Sequence, residues 1–162
     1  MVKSLVVYFT RTGTTKKVAE EIARQLSSDI EEIIDKVNRK GVMGFIKSIF
    51  DAIRKKFTEI DNIKKLPIDY DLIIVGSPVW AGTLSPAIRT YLMQQKQILF
   101  EKKVVFFCTM GGNNSKKIFI QMEKLIGKKP IHTIAIRSKE VKDNSYIDKI
   151  KKFTEEIKNI KF

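Results

Sequence analysis

Three short runs in which every residue is apolar constrain this chain more than any other feature: residues 5–9 (Leu-Val-Val-Tyr-Phe), 72–75 (Leu-Ile-Ile-Val) and 104–108 (Val-Val-Phe-Phe-Cys). A strand solvated on one face alternates apolar with polar residues. A run that is apolar throughout buries both faces, which points to a parallel sheet covered by helices on each side. Residues 131–136 and the weaker 30–34 supply two more strand candidates. The segments between them have helical period. Val18, Ile22 and Leu26 recur every four residues, and Ile118, Phe119, Met122, Leu125 and Ile126 form one stripe. Ser85 and Pro86 predict an N-cap and a first helical residue, with Ile88, Tyr91 and Leu92 facing inward. A Ser-x-x-Asp start at Ser145 and Asp148 opens a closing helix carrying Ile150, Phe153, Ile157 and Ile160. Alternating strands and helices predict an open, doubly wound α/β domain.

Residues 36–70 form the long connection in this pattern, and Ile46, Ile49, Phe50, Ile53 and Phe57 share one helical face within it. A right-handed parallel crossover usually contains a helix, so these residues predict one that packs its apolar face on the sheet and leaves a basic face in solvent. Residues 44–57 also fit a helix lying on a membrane surface or a partner.

With 162 residues, 43% of them hydrophobic, the chain has the size and apolar content of one domain, expected over 1–162. Cys108 is the only cysteine, so no internal disulfide forms, and a reducing cytoplasmic setting is expected. No stretch approaches the roughly 18 apolar residues of a membrane span, and residues 1–9 lack the cleavage pattern of a signal peptide.

In open α/β sheets, ligands bind outside the carboxyl ends of the strands, where strand order reverses. After the first strand come Thr10, Arg11, Thr12, Gly13, Thr14 and Thr15, leading into a helix. Four threonines, a glycine and the free N–H groups of a helix start suit a phosphate, although the same residues also make ordinary turns and caps. After the third strand, residues 76–83 place Trp80, the only tryptophan, among turn-forming residues, which favours stacking on a planar ring over a core role. After the fourth, Thr109 and Met110 precede Gly111 and Gly112, whose backbone can approach a ligand edge; Asn113 and Asn114 read equally as ligand contacts or as turn and cap residues. The three loops together describe a site for a mononucleotide with a large flat ring.

The stretch from Tyr8 to Ala19 resembles the phosphate loop and first helix of flavodoxins, and Ser77-Pro78-Val79-Trp80-Ala81-Gly82 resembles their tryptophan-bearing flavin loop. Cys108 to Gly112 is similar to the second flavin loop of short members. The resemblance implies a flavodoxin-like, five-stranded parallel sheet in the order 2-1-3-4-5 with helices on both faces. It implies FMN as cofactor, its phosphate held by Thr10, Arg11, Thr12, Gly13, Thr14 and Thr15. Pro78, Val79, Trp80, Gly82, Thr109, Met110, Gly111 and Gly112 would frame the ring. Such a protein shuttles electrons between redox partners, and no side chain is expected to be catalytic. Residues 109–115 contain no aromatic to cover the second ring face, which keeps a flavin-dependent reductase of NAD(P)H or a quinone in view.

Other classes lack their chemistry. Neither G-x-G-x-x-G nor G-x-x-x-x-G-K-[ST] occurs. A receiver domain needs an aspartate where Val75 and Gly76 stand, and a low-molecular-weight phosphatase needs a cysteine in its phosphate loop. Cys108 reads as a small buried hydrophobe, and His132, with no second ligand nearby, as structural rather than metal-binding. With 31 Lys+Arg against 18 Asp+Glu, the net charge is +13, and residues 36–65 hold nine of the cations and three of the acids, a local +6. This balance also fits a basic, non-redox binding module. No RNA- or DNA-reading motif accompanies it, which argues against nucleic acid; an acidic redox partner is the expected reader of the charge.

Overall fold

A computed structural model describes residues 2–160. Five parallel strands form the sheet: β1 (Ser4–Tyr8), β2 (Asp29–Glu32), β3 (Leu72–Trp80), β5 (Lys103–Met110) and β6 (His132–Arg137), in the spatial order β2-β1-β3-β5-β6. Counted as parallel strands, that is the expected 2-1-3-4-5. A short strand, β4 (Thr83–Leu84), pairs antiparallel with the end of β3.

The wholly apolar strands are buried on both sides because successive side chains point to opposite faces. Leu5, Val7, Ile73, Val75, Val104, Phe106 and Cys108 pack in one core with α3 (Pro86–Gln94), α4 (Lys96–Glu101) and α5 (Ser115–Ile126). Val6, Tyr8, Ile74, Val105 and Phe107 pack in the other with α1 (Thr14–Leu26), α6 (Ser138–Lys142) and α7 (Tyr146–Lys158). The predicted helical stripes face inward: Val18, Ile22, Ile118, Met122, Ile126, Ile150, Phe153 and Ile157 are all buried. Ser85 caps α3 as expected, its Oγ accepting from the Ile88 N–H at 3.4 Å. Ser145 precedes α7 but makes no side-chain cap.

Two expectations are corrected. First, β3 does not stop at Val75. It continues to Trp80, turns at Ala81 and Gly82, and returns through Thr83. Both turn residues have positive φ, +48° and +73°, as the commonest two-residue hairpin turn requires. Second, α2 (Gly41–Ile53) is present in the second crossover but is rotated relative to the expectation. Its inner row is Gly44, Ser48 and Ala52, while Ile46, Phe50, Ile53 and the following Phe57 are exposed. The cause lies beneath the helix. The buried Arg39 guanidinium is paired by Nε to Asp35 at 2.5 Å and by Nη1 to Asp51, on α2, at 3.1 Å. A methyl group at Gly44 would collide with the Arg39 backbone. Small and polar residues therefore face inward, where an ion pair has to be matched, and the large apolar residues face out.

Candidate functional site at the carboxyl edge of the sheet

The parallel strands β1, β3 and β5 are adjacent, so the segments following them meet at one edge. The first opens α1. Gly13 is its N-cap with φ +92°, a left-handed conformation that favours glycine, and its N–H donates to the Thr10 Oγ1 at 3.0 Å. The first N–H groups of α1 have no acceptor within the helix, which makes this end a ready anion site. Thr12 is exposed, and Thr10, Arg11, Gly13 and Thr14 are half-buried. Thr15 is buried, and its hydroxyl shares a 2.7 Å hydrogen bond with that of Thr109. The Arg11 guanidinium lies 5.0 Å from the centre of the Phe45 ring and donates to the Arg39 carbonyl at 3.4 Å, tying this loop to the start of α2.

The second segment is the β3–β4 hairpin. Trp80 is half-buried, in edge contact with Phe9 at 5.7 Å between ring centres, and the Arg39 guanidinium sits 5.9 Å from its ring. Val79 is half-buried, Gly82 exposed, and Pro78 buried opposite Thr109. Gln121 on α5 supports the turn: its Nε2 donates to the Gly82 carbonyl at 3.3 Å and its Oε1 accepts from Thr83 Oγ1 at 2.7 Å. Arg89, buried on α3, adds a 2.9 Å bond to Thr83 Oγ1, and burial pushes its guanidinium down from its ordinary pKa.

In the third segment, Thr109 and Met110 lie within β5 and are buried, whereas Gly111 and Gly112 are exposed. Neither glycine has positive φ, and a Cβ on either would meet nothing within 4 Å. The chain itself therefore makes no demand for glycine here, and the space over these two residues is free for a ligand. Asn114 takes the N-cap position of α5 without a side-chain bond to the helix.

The residues singled out from sequence thus divide in two. Thr10, Arg11, Thr12, Gly13, Thr14, Val79, Trp80, Gly82, Gly111 and Gly112 reach the surface at this edge, while Thr15, Pro78, Thr109 and Met110 are covered by the protein and support it. The sequence reading missed Phe9, Arg39, Arg89 and Gln121. Arg89 had a signal, a cation inside the otherwise buried turn of α3; Arg39 and Gln121 had none, because their partners are distant in sequence. The remaining candidates lie elsewhere. The buried Cys108 thiol is pushed up to about 12 by burial, with Lys149 acting weakly against this. His132 Nε2 contacts Glu156 at 2.7 Å, and its ring meets Phe153 edge-on. A cavity of about 640 Å³ lies beside β2, lined by Tyr8, Lys16, Glu32 and Lys64 but by no residue of these loops.

The model of the family described as Flavodoxin matches residues 3–157. The chain belongs to the flavodoxin family. Among solved structures, it is similar to a flavoprotein from Lactobacillus acidophilus in complex with FMN, at 30% identity, covering 92% of this chain and 98% of that one, with TM-score 0.70. A putative flavoprotein from Bacteroides eggerthii is 23% identical over 93% of this chain and 98% of its own, with TM-score 0.73. Oxidised flavodoxin 1 from Bacillus cereus shares the fold at 18% identity over 98% and 99%, with TM-score 0.57. No curated protein matches the chain. Among the described residues of this flavodoxin, no helix is long and apolar enough to cross a membrane.

Proposed function

We propose that this flavodoxin binds FMN and serves as a one-domain, cytoplasmic carrier of electrons between redox proteins. The observation that carries the reading is the arrangement at the sheet edge: the open helix start at Gly13, the supported Trp80 hairpin and the uncrowded Gly111 and Gly112. These features fit a phosphate, a planar ring and a ring edge respectively. The FMN complex of the similar Lactobacillus acidophilus protein supports the same ligand.

Bound FMN supplies the redox chemistry, taking up and releasing one or two electrons. In this reading, the Thr10–Thr15 loop and the N–H groups opening α1 hold the phosphate. Trp80 would offer its ring to a flavin face, and the backbone of Gly111 and Gly112 would be open to the flavin edge. Thr15 and Thr109 act from below by fixing the first and third segments to each other. The net charge of +13 favours acidic redox partners, with an association rate that falls as salt rises.

The second reading, an FMN-dependent reductase of NAD(P)H or a quinone, is favoured by one observation: residues 111–114 are exposed and carry no aromatic to cover the second ring face. Anaerobic mixing of the FMN-loaded protein with NADH or NADPH separates the two. A carrier leaves the flavin absorbance unchanged over minutes and is reduced only through a partner reductase. Rapid bleaching by free nicotinamide makes the protein an enzyme.

A further inference from the structure

The outward face of α2 departs from an ordinary globular surface. Val42 and Met43 are 76% and 78% exposed, and Phe50, Ile53 and Phe57 are 54%, 56% and 55% exposed. Phe45 and Ile46 are also exposed. Val42, Ile46, Phe50 and Ile53 follow helical spacing, so they form one continuous ridge directly opposite the inner row of Gly44, Ser48 and Ala52. Monomeric proteins rarely present an uninterrupted apolar surface of this kind unless something covers it.

Charge narrows the occupant. Lys47 and Arg54 stand four residues from Met43 and Phe50, along one flank of the ridge, and Lys40, Lys55 and Lys56 mark its ends. Asp51 is the only acid between residues 40 and 57; its side chain is turned inward and taken up by Arg39 and Lys56. A second copy of this chain packed ridge to ridge would bring these cations against each other. The occupant is therefore anionic. The ridge residues Val42, Met43, Ile46, Phe50 and Ile53 offer no strong side-chain donor or acceptor, whereas protein interfaces carry about one hydrogen bond per 100–200 Å² and favour Tyr, Trp and Arg. A lipid surface asks for no such bonds. It takes a convex apolar ridge among the acyl chains while flanking Lys and Arg reach the headgroups.

We infer that α2 is a membrane-surface docking helix that seats the protein on anionic lipid, with Val42, Met43, Ile46, Phe50 and Ile53 inserted and Lys47 and Arg54 at the headgroups. Because Arg11 of the phosphate-loop segment stacks on Phe45 of the same helix, the docked face borders the candidate site. The inference does not depend on which ligand that site takes.

Flotation of the 162-residue chain with lipid vesicles tests it. Vesicles of phosphatidylcholine containing about 30% phosphatidylglycerol should bind at least about tenfold more tightly than phosphatidylcholine alone, and binding should weaken at about 0.5 M salt. Phe50→Ser with Ile53→Ser should lower affinity for the anionic vesicles by about tenfold or more while leaving the melting temperature near that of the parent, since both side chains project into solvent. Lys47→Gln with Arg54→Gln should remove most of the preference for anionic lipid. The inference is overturned by a failure to bind anionic vesicles. It is equally overturned if the serine variant binds as well as the parent, which would make adsorption a property of the whole basic surface. A parent dimer that the serine variant converts to monomer, without vesicle binding, would assign the ridge to a second copy instead.

Discussion

The hydroxyls of Thr15 and Thr109, 94 residues apart in sequence, lie 2.7 Å from each other in a buried contact that joins the first turn of α1 to the end of β5. Each hydroxyl is the other's partner, so removing one leaves a polar group stranded away from water. Thr15→Val should cost about 1–3 kcal/mol, and Thr109→Val a similar amount. In the double variant nothing is stranded, and the loss should fall well short of the sum. Urea unfolding of the four proteins measures this coupling, and strict additivity would show that the two hydroxyls do not depend on each other.

Thr12 is exposed and Thr14 half-buried, and among the described residues nothing lies within 4 Å of where a Cβ on Gly13 would stand. If they bind phosphate, Thr12→Val with Thr14→Val should weaken FMN by about ten- to a hundredfold, the range for losing hydrogen bonds to a charged group. Riboflavin, which lacks the phosphate, should be almost unaffected. Fluorescence titration of both ligands decides the matter, and equal losses would contradict the cradle.

Gly112 has room for a side chain and ordinary φ. Gly112→Val should therefore leave the stability of the ligand-free protein within about 0.5 kcal/mol of the parent. The same substitution should reduce FMN affinity by at least about tenfold, because the added group occupies the space assigned to the ring edge. A destabilised ligand-free protein, or unchanged FMN affinity, would count against that assignment.

Alkaline pH should unfold this protein through its buried acids. Burial pushes the Cys108 thiol from 9.0 up to about 12 and, with the bond to Asp29, the Tyr70 phenol from 10.0 up to about 12. Tyr8, buried and bonded to Glu32, and Tyr91, buried, are raised further. For each group, the folded form keeps its proton while the unfolded chain loses it, so the stabilisation is fully present below the unfolded pKa and is lost as pH rises toward the folded one. The urea midpoint should hold steady to about pH 9 and decline progressively from there to about pH 12. Cys108→Ala should flatten the onset of that decline.

Much of this fold was legible because its strands are extreme. Residues 5–9, 72–75 and 104–108 have no polar position, and burial on both faces follows from strand geometry whatever the sheet's partners. The threonine and glycine loop before α1 was legible for a similar reason, since free N–H groups and a left-handed glycine at a helix start are local properties. Trp80 was located correctly but placed in the wrong element. The residues between Gly76 and Gly82 look like a loop, yet their hydrogen bonds are supplied by β5 and β4, and sequence cannot show a pairing made across other segments. Arg39 and Gln121 were invisible on the same ground: their value comes from Asp51, Trp80 and Gly82, each reached only after folding.

Sequence alone determined that this chain builds a parallel sheet between two helical layers, and that its distinctive loops follow the first, third and fourth parallel strands. These depend on side-chain pattern along single segments. It also placed a helix within residues 36–70, with Ile46, Ile49, Phe50, Ile53 and Phe57 on one face and a basic face opposite. Only the tertiary structure decided which face turns inward. Periodicity separates two faces without assigning either to the core; the buried Arg39 ion pairs and the close approach of its backbone to Gly44 admit only the row of Gly44, Ser48 and Ala52. The apolar row is left to solvent, and that reversal defines the surface assigned here to lipid.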